Sequence, residues 1–128
     1  MKILVVDDSF TARMFTKNSI VLCLKKIEVE ILEASSGNEA IEILKSEKDI
    51  GLIVSDLQMP QMSGKNFLQI IRQIEKTKEI PVVFITSHAD NTSINEDLKR
   101  TGAYDVLPKP IEIKKIKKVF IDLKILPD

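Results

Sequence analysis

Five short apolar runs punctuate the chain: Ile3–Val6, Val29–Leu32, Leu52–Val54, Val82–Ile85 and Val106–Leu107. The first, third and fourth contain no polar residue, as expected of strands covered on both faces. In the second, Glu28 and Glu30 alternate with Val29 and Ile31, which predicts an edge strand. Between these runs the apolar period lengthens to that of a helix. Residues 10–26 follow Ser9, a suitable N-cap. Residues 38–48 follow Ser36-Gly37 and align Ala40, Ile41 and Leu44, while 65–77 align Phe67, Leu68, Ile71 and Ile74. Residues 91–101 offer only Ile94 and Leu98 for burial, so this helix is expected to be mobile. Residues 111–123 set Ile113, Ile116, Phe120 and Leu123 on one side and Lys114, Lys115, Lys117 and Lys118 elsewhere. Strand–helix alternation repeated five times without a long linker predicts an α/β fold, a doubly wound parallel sheet with helices on both faces.

Composition narrows the class. With 128 residues, 44% hydrophobic and 30% charged, the chain suits one domain with one sizeable core. Nineteen basic residues balance nineteen acidic ones, so neither nucleic-acid binding nor attraction to a membrane is expected from bulk charge. An anion must be met by a local arrangement of charges. Cys23 is the single cysteine; it excludes a disulfide framework, permits a reduced compartment and reads as a core thiol. Met1-Lys2 runs straight into Ile3–Val6, too short for a signal-peptide core and broken by Asp7 and Asp8. No apolar run approaches the ~20 residues of a membrane span. A cytoplasmic location is expected. The chain stops at Asp128, about where the fifth helix is complete, so a single domain over 1–128 with no attached output domain is expected.

The polar exceptions fall at strand ends. Asp7 and Asp8 follow the first strand, Asp56 the third, Thr86 and Ser87 the fourth, and Lys109 the fifth. In open parallel sheets the working crevice lies beyond the carboxyl ends of the strands, where strand order reverses. In the flavodoxin-like order 2-1-3-4-5, that point lies between the first and third strands, the two that carry the aspartates. Taken singly, an aspartate after a strand is a turn former or an N-cap, and a lone lysine is a solvated side chain. Taken together, three carboxylates converging on one crevice repel one another unless a cation binds. Hard oxygen ligands with positions left for water and phosphate describe a Mg²⁺ site. A lysine and a hydroxyl facing it would complete a cradle for a phosphoryl group, and aspartate is a known covalent phosphate acceptor.

With these residues in this order, the chain resembles a response-regulator receiver domain, including the single-domain chemotaxis type. The resemblance spans nearly the whole length and rests on four segments: Asp7-Asp8-Ser9, the run from Asp56 through Met59-Pro60 to Gly64, Thr86-Ser87, and Gly102-Ala103 leading to Lys109-Pro110. It implies that Asp56 takes a phosphoryl group from a histidine kinase. It implies Mg²⁺ (or Mn²⁺) bound directly by Asp8 and Asp56, by Asp7 largely through water, and by the Gln58 backbone carbonyl. Lys109 would pair with Asp56 at rest and with the phosphate afterwards. Thr86, Ser87 and Leu57 would also contact the phosphate, with Thr86 drawing the loop after the fourth strand inward. The resemblance further implies a cis Lys109-Pro110 peptide, a histidine kinase or phosphotransfer protein as donor, and a downstream protein bound on the face of the fourth helix, fifth strand and fifth helix. A monomer is expected.

One position departs from the family pattern. Where receiver domains often carry Tyr or Phe three residues before the lysine, this chain has Val106; its only tyrosine, Tyr104, reads as a surface residue. The family tunes phosphate lifetime at positions corresponding to Gln58 and His88, and His88 by itself reads as an exposed loop residue. Rival readings fit less well. A dehalogenase-type phosphatase needs an acid where Gln58 stands. A P-loop needs Gly where Met59 stands and Ser or Thr where Asn66 stands. A flavin carrier would have its phosphate repelled by the carboxylates. An adaptor that works without phosphorylation, or a phosphate-relay intermediate, is the remaining alternative.

Overall fold

The computed structural model describes residues 1–127. Strand β1 (Lys2–Val6) leads into helix α1 (Phe10–Cys23), followed by β2 (Glu30–Ala34), α2 (Gly37–Ser46), β3 (Ile50–Asp56), α3 (Gly64–Ile71), β4 (Val82–Thr86), α4 (Thr92–Thr101), β5 (Asp105–Pro108) and α5 (Ile113–Asp122). The five strands form one parallel sheet in the order β2-β1-β3-β4-β5. Architecture and order are those expected, with β2 at the edge.

Alternation along the central strands divides the interior in two. Leu4, Val6, Ile53, Val82 and Phe84 face one side, where Ala40 and Leu44 of α2, Phe67, Leu68 and Ile71 of α3 and Leu98 of α4 pack on them. Ile3, Val5, Leu52, Val54, Val83 and Ile85 face the other, against Ile20 of α1 and Ile116, Val119 and Phe120 of α5. Three helices therefore cover one face and two the other. Serine hydroxyls accept a free first-turn amide, three residues on, in α1 (Ser9 from Ala12), α2 (Ser36 from Glu39) and α3 (Ser63 from Asn66), and the Asn91 side chain does so for α4 (from Ile94). Each such cap contributes about 1 kcal/mol and fixes where its helix begins.

Several local expectations are corrected. Ile94 is 43% exposed, leaving Leu98 as the buried residue of α4. Ile113 is likewise exposed, because Ile111 in the segment before α5 fills that part of the core. Cys23 is half-buried at the rim between α1 and α5, its Sγ 4.0 Å from the Ile113 carbonyl, and burial pushes its thiol pKa up. The run predicted as one helix over 65–77 stops at Ile71, and turns carry the chain on to β4. Arg72 accounts for that break. Its guanidinium donates to the carbonyls of Ile80 (2.7 Å), Gly102 (2.9 Å) and Thr77 (3.3 Å), tying the end of α3, the 72–81 connection and the α4–β5 turn together.

Replacing Arg72 with Met keeps the apolar stem but strands these carbonyls. We expect a loss of about 2–3 kcal/mol, read from the urea midpoint with an unchanged m-value.

Candidate functional site

Parallel register brings the carboxyl ends of β1, β3, β4 and β5 to one edge. Val6 pairs with Ser55, Asp56 with Ile85 and Thr86 with Pro108. Asp7 thus begins just past β1, beside Asp56 at the last position of β3, while Thr86 closes β4. One carboxylate oxygen each from Asp7, Asp8 and Asp56 lies within 4.8 Å of the others. Asp7 and Asp56 are buried, whereas Asp8 is exposed.

The partners fix each group differently. Asp7 Oδ1 accepts from the Ser9 amide (2.9 Å), and its own amide donates to the Ala34 carbonyl of β2 (3.0 Å). Asp56 Oδ1 accepts from the Gln58 amide at 3.3 Å. Lys109 Nζ stands between the two buried acids, 3.3 Å from Asp7 Oδ2 and 3.4 Å from Asp56 Oδ2. The expected Lys109–Asp56 pair is therefore present, and Asp7 shares it. The Lys109 amide donates to the Thr86 carbonyl (2.9 Å), and the Lys109-Pro110 peptide is cis. The Thr86 side chain is buried, and its hydroxyl accepts from the His88 amide (3.1 Å).

Burial raises the Asp56 pKa above the ordinary carboxylate value, and the neighbouring Asp7 charge adds to the shift; Lys109 and the Gln58 amide oppose it without cancelling it. For Lys109, burial disfavours the ammonium, but Asp56 and Asp7 together outweigh it and hold its pKa above the ordinary lysine value. Three carboxylates against one ammonium leave a formal excess of two negative charges (3 − 1 = 2) at the crevice. An all-oxygen donor set with that excess fits a hard dication such as Mg²⁺.

The loop after Asp56 is tightly closed. The Leu57 amide donates to Ile85, the Gly64 amide donates back to the Leu57 carbonyl (2.8 Å), and Gln61 takes a left-handed φ of 69°. A Cβ on Gly64 would lie 2.9 Å from Leu57 Cα and 2.7 Å from the Phe84 ring, so only glycine fits there. Of the groups expected near a phosphate, Leu57 thus has its amide already engaged, Ser87 is exposed, and Gln58 presents an exposed side chain. His88 is exposed, Val106 is buried, and Tyr104 is 39% exposed just before β5.

The family described as the response regulator receiver domain matches residues 3–121. The chain belongs to the response-regulator receiver family. This receiver domain is 35% identical over 118 residues to chemotaxis protein CheY1 of Helicobacter pylori, covering 91% of each chain. It is 34% identical over 110 residues to the two-component response regulator ORR5 of Oryza sativa subsp. japonica, covering 86% of this chain and 78% of that one. Its fold matches the chemotaxis response regulator CheY4 of Vibrio cholerae with a TM-score of 0.81 at 25% identity, over 95% of this chain and 97% of the other. Receiver domains generally bind Mg²⁺ and interact with histidine kinases and downstream targets. Among the described residues, no helix is long and apolar enough to cross a membrane.

Reasoning from sequence missed Arg13 and Glu33. Arg13 Nη1 donates to the Asp7 carbonyl (2.8 Å) and Nε to Glu33 Oε1 (3.0 Å). An arginine one turn after the N-cap, with a glutamate at the last position but one of the neighbouring edge strand (Glu33, before Ala34), was the available signal.

The raised Asp56 pKa has a signed consequence. Stability linked to its protonated form is present at low pH and is lost as pH rises through the folded-state value. In metal-free buffer, Asp56→Asn is therefore expected to melt a few degrees above wild type near neutral pH. That advantage should shrink as acidification neutralises the wild-type carboxyl. A mutant less stable than wild type at neutral pH would contradict this account.

Proposed function

We propose that this receiver domain is a phosphoacceptor switch in a two-component system, with Asp56 as the residue that becomes phosphorylated. The observation that carries the reading is the convergence of Asp7, Asp8 and Asp56 within 4.8 Å beside Lys109. Asp7, Asp8, Asp56 and the Gln58 backbone carbonyl would hold Mg²⁺, which would supply positive charge to the phosphoryl oxygens.

In the transfer, an Asp56 carboxylate oxygen attacks the phosphorus of a phosphohistidine or acyl phosphate. The new P–O bond forms as the donor's P–N or P–O bond breaks, and the leaving imidazole or carboxylate keeps the bonding electrons. Lys109 follows the charge from the carboxylate to the phosphoryl group. The Thr86 hydroxyl donates to a phosphoryl oxygen, Ser87 contributes at the mouth of the crevice, and the Leu57 amide joins by leaving Ile85. Such chemistry depends mainly on positioning and charge neutralisation.

The donor is a histidine kinase or a phosphotransfer protein. The phosphorylated form changes its binding to a downstream protein through the face of α4, β5 and α5, where Tyr104, Lys115 and Lys118 are exposed. Val106 carries no ring, so the aromatic read-out found in many relatives does not operate here in its usual form. We take residues 1–128 to act as a single cytoplasmic, monomeric receiver domain.

Two outcomes test this. Asp56→Asn should abolish ³²P transfer from a phosphorylated kinase or a small acyl-phosphate donor while retaining the fold; acid-stable labelling of that variant would exclude Asp56 as acceptor. Adding Mg²⁺ should raise the melting temperature, by roughly 0.4 kcal/mol of stability when free metal equals its Kd. A flat titration would remove the metal from the mechanism.

A further inference from the structure

Asp7 is gripped from three directions. Its amide is held by the Ala34 carbonyl of β2, its carboxylate by the Ser9 amide and Lys109, and its carbonyl by the Arg13 guanidinium. The last contact differs in kind. The Asp7 carbonyl belongs to the peptide that joins Asp7 to Asp8, so whatever fixes that oxygen fixes the plane from which the exposed Asp8 carboxylate projects.

Arg13 is suited to this task. Its side chain is only 14% exposed, and its Nε–Glu33 bond sets the guanidinium in one orientation. The second Glu33 oxygen is taken by Lys17 at 3.1 Å, so the carboxylate that orients Arg13 is itself tethered. The exposed Phe10 ring lies over the guanidinium, its centroid 5.5 Å from the guanidinium carbon. Glu33 and Ala34 are consecutive in β2. A single stretch of edge strand therefore holds the Asp7 amide directly and the Asp7 carbonyl through Arg13.

We propose that Arg13, oriented by Glu33, is a positioning residue that sets the Asp7–Asp8 peptide for cation binding. The proposal rests on the reading that these carboxylates bind Mg²⁺, and it makes a prediction opposite in sign to simple electrostatics. A guanidinium next to a cation site repels the cation, so a bystander arginine would weaken binding, and its removal would tighten it. A positioning arginine behaves in reverse. Loss of an outer-shell partner of this kind typically costs 10–100-fold in metal affinity.

The test is calorimetric titration of the full chain with Mg²⁺, well below the melting temperature, with circular dichroism confirming that each variant is folded. Arg13→Met removes the guanidinium and keeps the stem; it should raise the Kd about tenfold. Arg13→Lys keeps the charge but cannot serve the Asp7 carbonyl and Glu33 together, so its Kd should rise more than about twofold above wild type yet less than that of Arg13→Met. An Arg13→Met Kd equal to or lower than wild type overturns the proposal, even if that variant melts at a lower temperature. Should Arg13→Met fail to fold, Arg13→Lys decides: a Kd within twofold of wild type overturns the proposal. Absence of Mg²⁺ binding by the wild-type chain would instead defeat the metal-site reading itself, and the proposal with it.

Discussion

The arrangement of this receiver domain turns on the repulsion between Asp7 and Asp56, two buried carboxylates with Lys109 between them. Close like charges in a partly dehydrated crevice are costly, and a single ammonium offsets only part of that cost. The fold supplies each participant from a different strand. Placing β1 next to β3 makes the acids neighbours, while the cross-sheet route through β4 to β5 delivers the lysine. No shorter stretch of chain could assemble the same set, because each group sits at the end of its own buried strand. The site therefore stays unsatisfied by construction, and that residual negative charge is what a cation would meet.

Rigidity around the site is unevenly distributed. The Asp56 loop is closed by the Gly64–Leu57 hydrogen bond and by the contact that excludes a Cβ at position 64, and the Asp7–Asp8 corner is held by β2 and Arg13. The segment after Thr86 is held more loosely. Ser87 and His88 are exposed, and Leu98 is the buried side chain of α4. Local stability follows buried contacts, so the acids sit on the firm part of the molecule and the threonine on the border of the soft part.

Much of this was legible in the chain. Strands apolar on both faces announce a covered parallel sheet, and polar residues confined to strand ends announce the crevice. What escaped depends on tertiary context. Helical period alone put Ile94 and Ile113 inside, yet each sits in the first turn of its helix, beyond the reach of the core, and Ile111 fills the second place from outside the helix. The same periodicity ran past Ile71, because nothing local reveals that Arg72 finds carbonyls from residues 77, 80 and 102. Arg13 escaped for a related reason: its value lies in a main-chain oxygen, which no side-chain pattern reports. Cys23 looked interior by pattern and lies instead at the seam of two helices.

The Arg72 contact with the Gly102 carbonyl sets a limit on how α4 can travel. The C-terminal end of that helix is moored by Arg72, by buried Leu98 and by the Ala103 amide bonded to the Leu98 carbonyl. Its opposite end, at Asn91 and Thr92, is exposed and abuts the loop from Thr86. Partway along, Asp97 pairs with Lys65 of α3 at the surface (2.6 Å), and the Asn95 side chain donates to the Ala89 carbonyl (2.6 Å), tying the first turn to that loop. A pull on the Thr86 loop would thus reach α4 through its first turn, at the end of the helix farthest from the Gly102 anchor, so that turn would move more than the end that leads into β5.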